Sequence, residues 1–124
     1  MTTQNLTPFG WYKQAFDKFL SAKGRLSRRG YWCFALYNIF FVILSAIADV
    51  ILHFTIQIDF IMTTYIMIFL FPSLTAGSRR LHDIGKSGWC QILLFVPVIG
   101  WYFLLKWLMQ PSMMEDNKFG PYEP

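Results

Sequence analysis

The chain has 124 residues, 55% hydrophobic and 19% aromatic, with eleven basic and seven acidic residues and a formal net charge of +4. That is short of the roughly one quarter charged residues of a soluble domain, while 13 Phe, 6 Tyr and 5 Trp exclude a disordered chain. Two cysteines exclude a disulfide scaffold and the length holds one domain, which leaves a small integral membrane protein.

The opening Met1-Thr2-Thr3-Gln4-Asn5 has no basic segment followed by an apolar run, which predicts no cleaved signal peptide. Phe9, Tyr12, Phe16, Phe19 and Leu20 then recur at helical spacing, opposite Lys13, Gln14, Asp17, Lys18 and Ser21. This predicts an amphipathic helix over 9–23, lying in the headgroup plane and closed at Gly24 by a left-handed cap. Three hydrophobic spans follow, over 31–52, 60–76 and 89–109. Asp49 and Lys106 are their only formal charges, each near a span end. Runs of this length cross a hydrocarbon core of about 30 Å at about 1.5 Å per residue. Between the second and third spans, residues 77–88 carry Arg79, Arg80, Asp83 and Lys86. Four charges at about 3 kcal/mol each keep this stretch out of the bilayer, as an interfacial loop. Pro97 and Gly100 interrupt the third span. A kink there gives a third transmembrane helix; a re-entrant hairpin, returning the C-terminus to the inner side, is the alternative. Residues 110–124 read as an extended tail.

Lys13, Lys18, Lys23, Arg25, Arg28, Arg29, Arg79, Arg80 and Lys86 put nine of the eleven basic residues on one side of this arrangement. The connection 53–59 has no Lys or Arg. The positive-inside rule then predicts a multi-pass inner-membrane protein with the N-terminus and the 77–88 loop cytoplasmic. Tyr31, Trp32 and Trp89 belong at the inner interface on this reading, and Trp101, Tyr102 and Trp107 at the outer one, with Lys106 snorkelling outward.

Gly24-Arg25-Leu26-Ser27-Arg28-Arg29-Gly30-Tyr31-Trp32 resembles the G-R-x-x-R-x-x-[FY]-W opening of the family catalogued as domain of unknown function 805, small bacterial inner-membrane proteins. Arg79-Arg80-Leu81-His82-Asp83 through Ser87-Gly88-Trp89 is similar to its central R-R-L-H-D-x-x-x-S-x-W signature, and Asn117-Lys118-Phe119-Gly120-Pro121 to its tail. Ala22, Cys90 and Ser112–Asp116 depart from the usual pattern. The resemblance implies an α-helical protein of the bacterial inner membrane, with no established activity, substrate or cofactor.

Arginine forks suit bidentate phosphate contact, so Arg25, Arg28, Arg29, Arg79, Arg80, His82, Asp83 and Lys86 are candidates for binding anionic headgroups or a partner. A structural role for His82 and Asp83, with Asp83 paired to an arginine, competes with that reading. Asn38, Ser45 and Asp49 share one face of the first span and would glue helices together or line a path. Cys33 and Cys90 read as free thiols, and no catalytic, metal or cofactor motif is present. The expected function is a non-enzymatic membrane protein binding anionic lipid or a partner protein, with self-association or a larger membrane partner and no nucleic acid. A small oligomeric transporter or channel using the Asn38/Ser45/Asp49 face is the alternative.

Overall fold

The computed structural model of the chain describes residues 6–57 and 60–122. These form α1 (Pro8–Asp17), α2 (Arg28–Ile56), α3 (Ile61–Asp83), a 3-10 segment (Gly88–Phe95) and α4 (Ile99–Met109), followed by the tail. The opening five residues, Asp59 of the first connection, and Glu123 and Pro124 lie outside the described residues.

α1 starts where Thr7 accepts a hydrogen bond from the Gly10 amide (3.2 Å), with Pro8 at its first position. It stops at Asp17, earlier than the predicted 9–23 helix. The Thr75 hydroxyl donates to the Phe19 carbonyl (2.8 Å), fastening the chain beyond α1 to α3 in a non-helical course. Gly24 does take a left-handed φ of +88°, but in the connection to α2. The aromatic face of α1 docks on its own chain: Tyr12 meets Phe34 and Tyr37, with centroids 5.6 and 5.1 Å apart, and Phe16 meets Phe69. Burial against these rings raises the Tyr12 phenol above its ordinary pKa. Trp11 and Ala15 are the residues α1 buries, whereas Leu20, expected on the inward face, is 72% exposed.

At about 1.5 Å per residue, the 29 residues of α2 and the 23 of α3 reach roughly 43 and 34 Å. Both are long and apolar enough to cross a membrane; α2 contains the predicted 31–52 span, and α3 the predicted 60–76 span except Phe60, which caps it. Ser27 caps the start of α2 and a left-handed Gln57 (φ 55°) ends it. Asp49 accepts from the Ile61 and Met62 amides (2.8 and 2.7 Å), so this carboxylate of α2 satisfies the first donors of α3. Phe40, Ile43, Ile47, Val50 and Ile51 of α2 and Met67, Leu70 and Phe71 of α3 lie exposed. An apolar surface this continuous calls for cover by lipid or by another protein.

Two expectations are corrected. Residues 77–83 are not an interfacial loop but the last turns of α3, and only a short turn separates them from the 3-10 segment. Helix is possible there because protein groups, rather than water, satisfy Arg79, Arg80 and Asp83. The third apolar run is not one long helix either. The 3-10 segment leaves the level of Ser78 and His82, the chain reverses at Pro97–Val98, and α4 returns to Arg80 and Trp32, whose Nε1 donates to the Leu108 carbonyl (3.3 Å). At about 2.0 Å per residue for its 3-10 arm and 1.5 Å for its α arm, each arm is about 16 Å long, half a hydrocarbon core. The run therefore folds back on itself as a helical hairpin, the chain course of the alternative reading. Lys106 and Trp107 sit at its returning end: the Lys86 ammonium lies 4.3 Å from the Trp107 ring centroid, so Trp107 is not at the far interface.

Val98 (φ 64°) closes the reversal by a tight turn in which the Ile99 amide donates to the Pro97 carbonyl (2.8 Å). Gly100 lets the arms meet there, since a Cβ on it would run into the Leu93 carbonyl oxygen. The Trp101 indole donates to the Leu94 carbonyl (2.9 Å) across the pair. At Gly77 an added Cβ would meet only the end of the Gln91 side chain (2.7 Å). Gly100→Ala is therefore expected to destabilise by about 1–3 kcal/mol and Gly77→Ala by clearly less, as read from thermal unfolding in detergent; equal effects would contradict the close packing of the arms.

Candidate functional site: a buried arginine knot

Arg25, Arg79, Arg80 and Asp83 are each no more than 1% exposed. Arg25 and Arg80 converge on one carboxylate. The Arg25 Nε donates to Asp83 Oδ1 (3.1 Å), and Arg80 Nη1 binds Asp83 Oδ2 from one helical turn away. Three buried guanidiniums against one carboxylate leave a positive excess, and a buried charge demands compensation. Carbonyl oxygens provide it. Arg80 donates to the carbonyls of Leu108 (3.2 Å) and Gln110, at the C-terminal end of α4 where carbonyls lack helical partners. Arg79 donates to the Ala15 carbonyl (3.2 Å) in the last turn of α1. Arg25 donates to the carbonyls of Asp83 (3.2 Å), Glu115 (2.8 Å) and Met113. Each arginine thus secures a different chain end: α1, α4 or the tail.

Adjacent residues on α3 point about 100° apart, and the knot uses this. Arg79 faces α1 while Arg80 faces α4 and the tail. Asp83 turns inward, whereas His82 is half-buried, its Nδ1 3.1 Å from the Gly24 carbonyl and its ring stacked 3.9 Å from Phe119. Asn117 Nδ2 donates to the His82 carbonyl (2.9 Å), and Arg25 lies 5.7 Å from the Tyr122 ring centroid. The Leu26 amide donates to the Arg79 carbonyl (3.0 Å), and Ser112 Oγ accepts from the Arg28 amide (3.4 Å). The three sequence blocks therefore meet at one place.

Of the candidate headgroup ligands, Arg25, Arg79 and Arg80 do not face outward, because their guanidiniums are taken up by internal acceptors. Asp83 is their counter-charge. Arg28 and Arg29 are exposed on the first turn of α2, and Lys86 lies on Trp107. Asn38, Ser45 and Asp49 are engaged inside the α2–α3 pair. Asn38 accepts from the Tyr65 hydroxyl (2.8 Å) and donates to the Phe34 carbonyl, and Ser45 donates to the Val42 carbonyl. Asn38 and Asp49 thus join α2 to α3, while the Ser45 bond stays within α2. Cys33 and Cys90 are free, and among the described residues no group of His, Cys, Asp and Glu is arranged to hold a metal.

Asp83→Asn removes the carboxylate shared by two buried arginines and is expected to cost about 3–5 kcal/mol. It should also release the tail, read as faster tryptic cleavage after Lys118, while Arg28→Gln at an exposed position changes stability by no more than about 0.5 kcal/mol. An Asp83→Asn protein that unfolds at the wild-type temperature would contradict the knot.

The sequence pattern of the family described as "Protein of unknown function (DUF805)" matches residues 19–121, which contain Arg25, Arg79, Arg80 and Asp83 of the knot. The chain is 33% identical over 114 residues to "Inner membrane protein YhaH" of Escherichia coli strain K12, covering 90% of this chain and 93% of that protein. It is also 33% identical over 111 residues to "Inner membrane protein YhaI" of the same strain, covering 89% and 92%. No solved structure matches. With its buried arginine knot and two long apolar helices, the chain belongs to the DUF805 family of membrane proteins of unknown function.

Proposed function

We propose that this is a non-enzymatic, multi-pass membrane protein that holds anionic phospholipid headgroups at its arginine end, with that end and both termini on the cytoplasmic side. The observation that carries the reading is the division of labour among the arginines. Arg25, Arg79 and Arg80 are occupied within the fold, while Arg28 and Arg29 stand exposed at the first turn of the longer and more apolar of the two long helices. A cation at the level where an apolar surface begins meets the phosphate layer, and each is worth about 1 kcal/mol against anionic lipid. The knot's part is to stiffen this end, so that the cations are presented from a rigid base. A transport path along Asn38, Ser45 and Asp49 has less support, since each of these groups is engaged within the chain.

If the two exposed cations act independently, replacing Arg28 and Arg29 together by Gln lowers phosphatidylglycerol retention by about thirtyfold at ~1 kcal/mol each. Native mass spectrometry from mixed phosphatidylglycerol and phosphatidylcholine vesicles reads this, and unchanged occupancy rejects headgroup binding. Sidedness is tested separately, in a protein lacking Cys33 and Cys90. Leu20→Cys and Met114→Cys should label only from the cytoplasm and His53→Cys only from outside; labelling of Met114→Cys from outside would sink the shared side of the termini.

A further inference from the structure

Between α3 and the hairpin lies a groove of about 600 Å³, within the ~300–1,000 Å³ range of small-molecule sites. Its walls are Leu70 and Leu74 of α3, Leu94 of the 3-10 segment, and Trp101 and Leu105 of α4, and Tyr31 of α2 also lines it. Two of the polar groups along it are already used. The Trp101 indole donates to the Leu94 carbonyl, and the Gln91 amide donates to the Leu74 carbonyl (3.0 Å) and to Ser78 Oγ. What faces an occupant is mainly hydrocarbon.

We propose that this groove is the site of one acyl chain of an anionic phospholipid whose phosphate is held by Arg28. The inference deepens the headgroup reading above and rests on it. Two observations select the occupant. First, the residues that line the groove are nearly all apolar, which suits hydrocarbon. Second, Tyr31 in the lining stands one helical turn from Arg28, so the two share a face of α2. The exposed guanidinium therefore lies beyond the groove in the direction of the arginine end. Apolar below and cationic above is the pattern of an anionic lipid and not of a soluble ligand. Near the arginine end the hairpin is held to α3, where Gln91 packs over Gly77 and donates to the Leu74 carbonyl.

The test is native mass spectrometry of the full chain taken in mild detergent from vesicles of equal phosphatidylglycerol and phosphatidylcholine. The wild type is expected to keep one phosphatidylglycerol. Ser73→Phe and Leu105→Trp, which fill the groove, should each lower that occupancy by about tenfold, a change of ~1.4 kcal/mol. Leu44→Trp on the exposed face of α2 should leave it unchanged. Arg28→Gln should keep a bound lipid but cut the preference for phosphatidylglycerol over phosphatidylcholine about fivefold, the factor set by ~1 kcal/mol per cation. Full retention in both groove-filling variants would overturn the groove site while leaving headgroup binding intact if Arg28→Gln still loses its preference. No change in any variant would overturn both, and a dimer without lipid would assign the groove to a second copy. Ser73→Phe and Leu105→Trp lie on different elements, so a folding failure in one leaves the other to decide.

Discussion

The pairing of Arg25 and Arg80 through the single carboxylate of Asp83 is the interaction on which the remainder of the molecule leans. It joins residues 58 positions apart, one just before α2 and the other at the end of α3. Once both guanidiniums are sealed from water, their remaining donors must find acceptors, and these come from the end of α4 and from the tail. A charge problem at one point thus dictates where the other chain ends go. Positive excess met by carbonyl dipoles explains how an assembly with more arginines than carboxylates can be buried at all.

Lipid-facing surface and knot divide the molecule. Below the knot, packing is sparse for a folded protein: long stretches of α2 and α3 offer hydrocarbon to their surroundings, and Asn38, Tyr65 and Asp49 provide the polar stitches between them. Beside it, α1 packs on both helices, with Tyr12 stacked on Phe34 and tilted against Tyr37, and Phe16 tilted against Phe69. The hairpin reaches only half as far as the long helices, leaving the flank of α3 uncovered toward its far end.

Much of this was legible in the residues. Hydropathy located α2 and α3, because a run of some twenty apolar residues has few other uses. The two arginine blocks and the tail pattern identified the segments that meet, and pairing of Asp83 with an arginine was among the readings open. What could not be read was the inward turn of Arg25, Arg79 and Arg80. Their acceptors are main-chain carbonyls of Ala15, Leu108, Gln110 and Met113, and a carbonyl belongs to every residue, so no side-chain pattern announces it. For the same reason residues 77–83 read as a loop: a count of charges supposes water around them, and the partners were distant in the chain. Pro97 and Gly100 did carry the signal for the hairpin, since a reversal needs a residue without a Cβ where the arms touch, but a kinked span would use the same pair.

The docked tail also has a consequence for how the protein is made. The carbonyl of Glu115 that binds Arg25 is 90 residues further along the chain, so at roughly 5–20 residues per second it emerges about 5–18 s after the arginine does. Asp83, 58 residues on, is made before it, so the arginine gains its counter-charge first and its carbonyl acceptors in the tail last. Until then the guanidinium must be served by water, and a hydrated cation does not follow the apolar helix beside it into lipid.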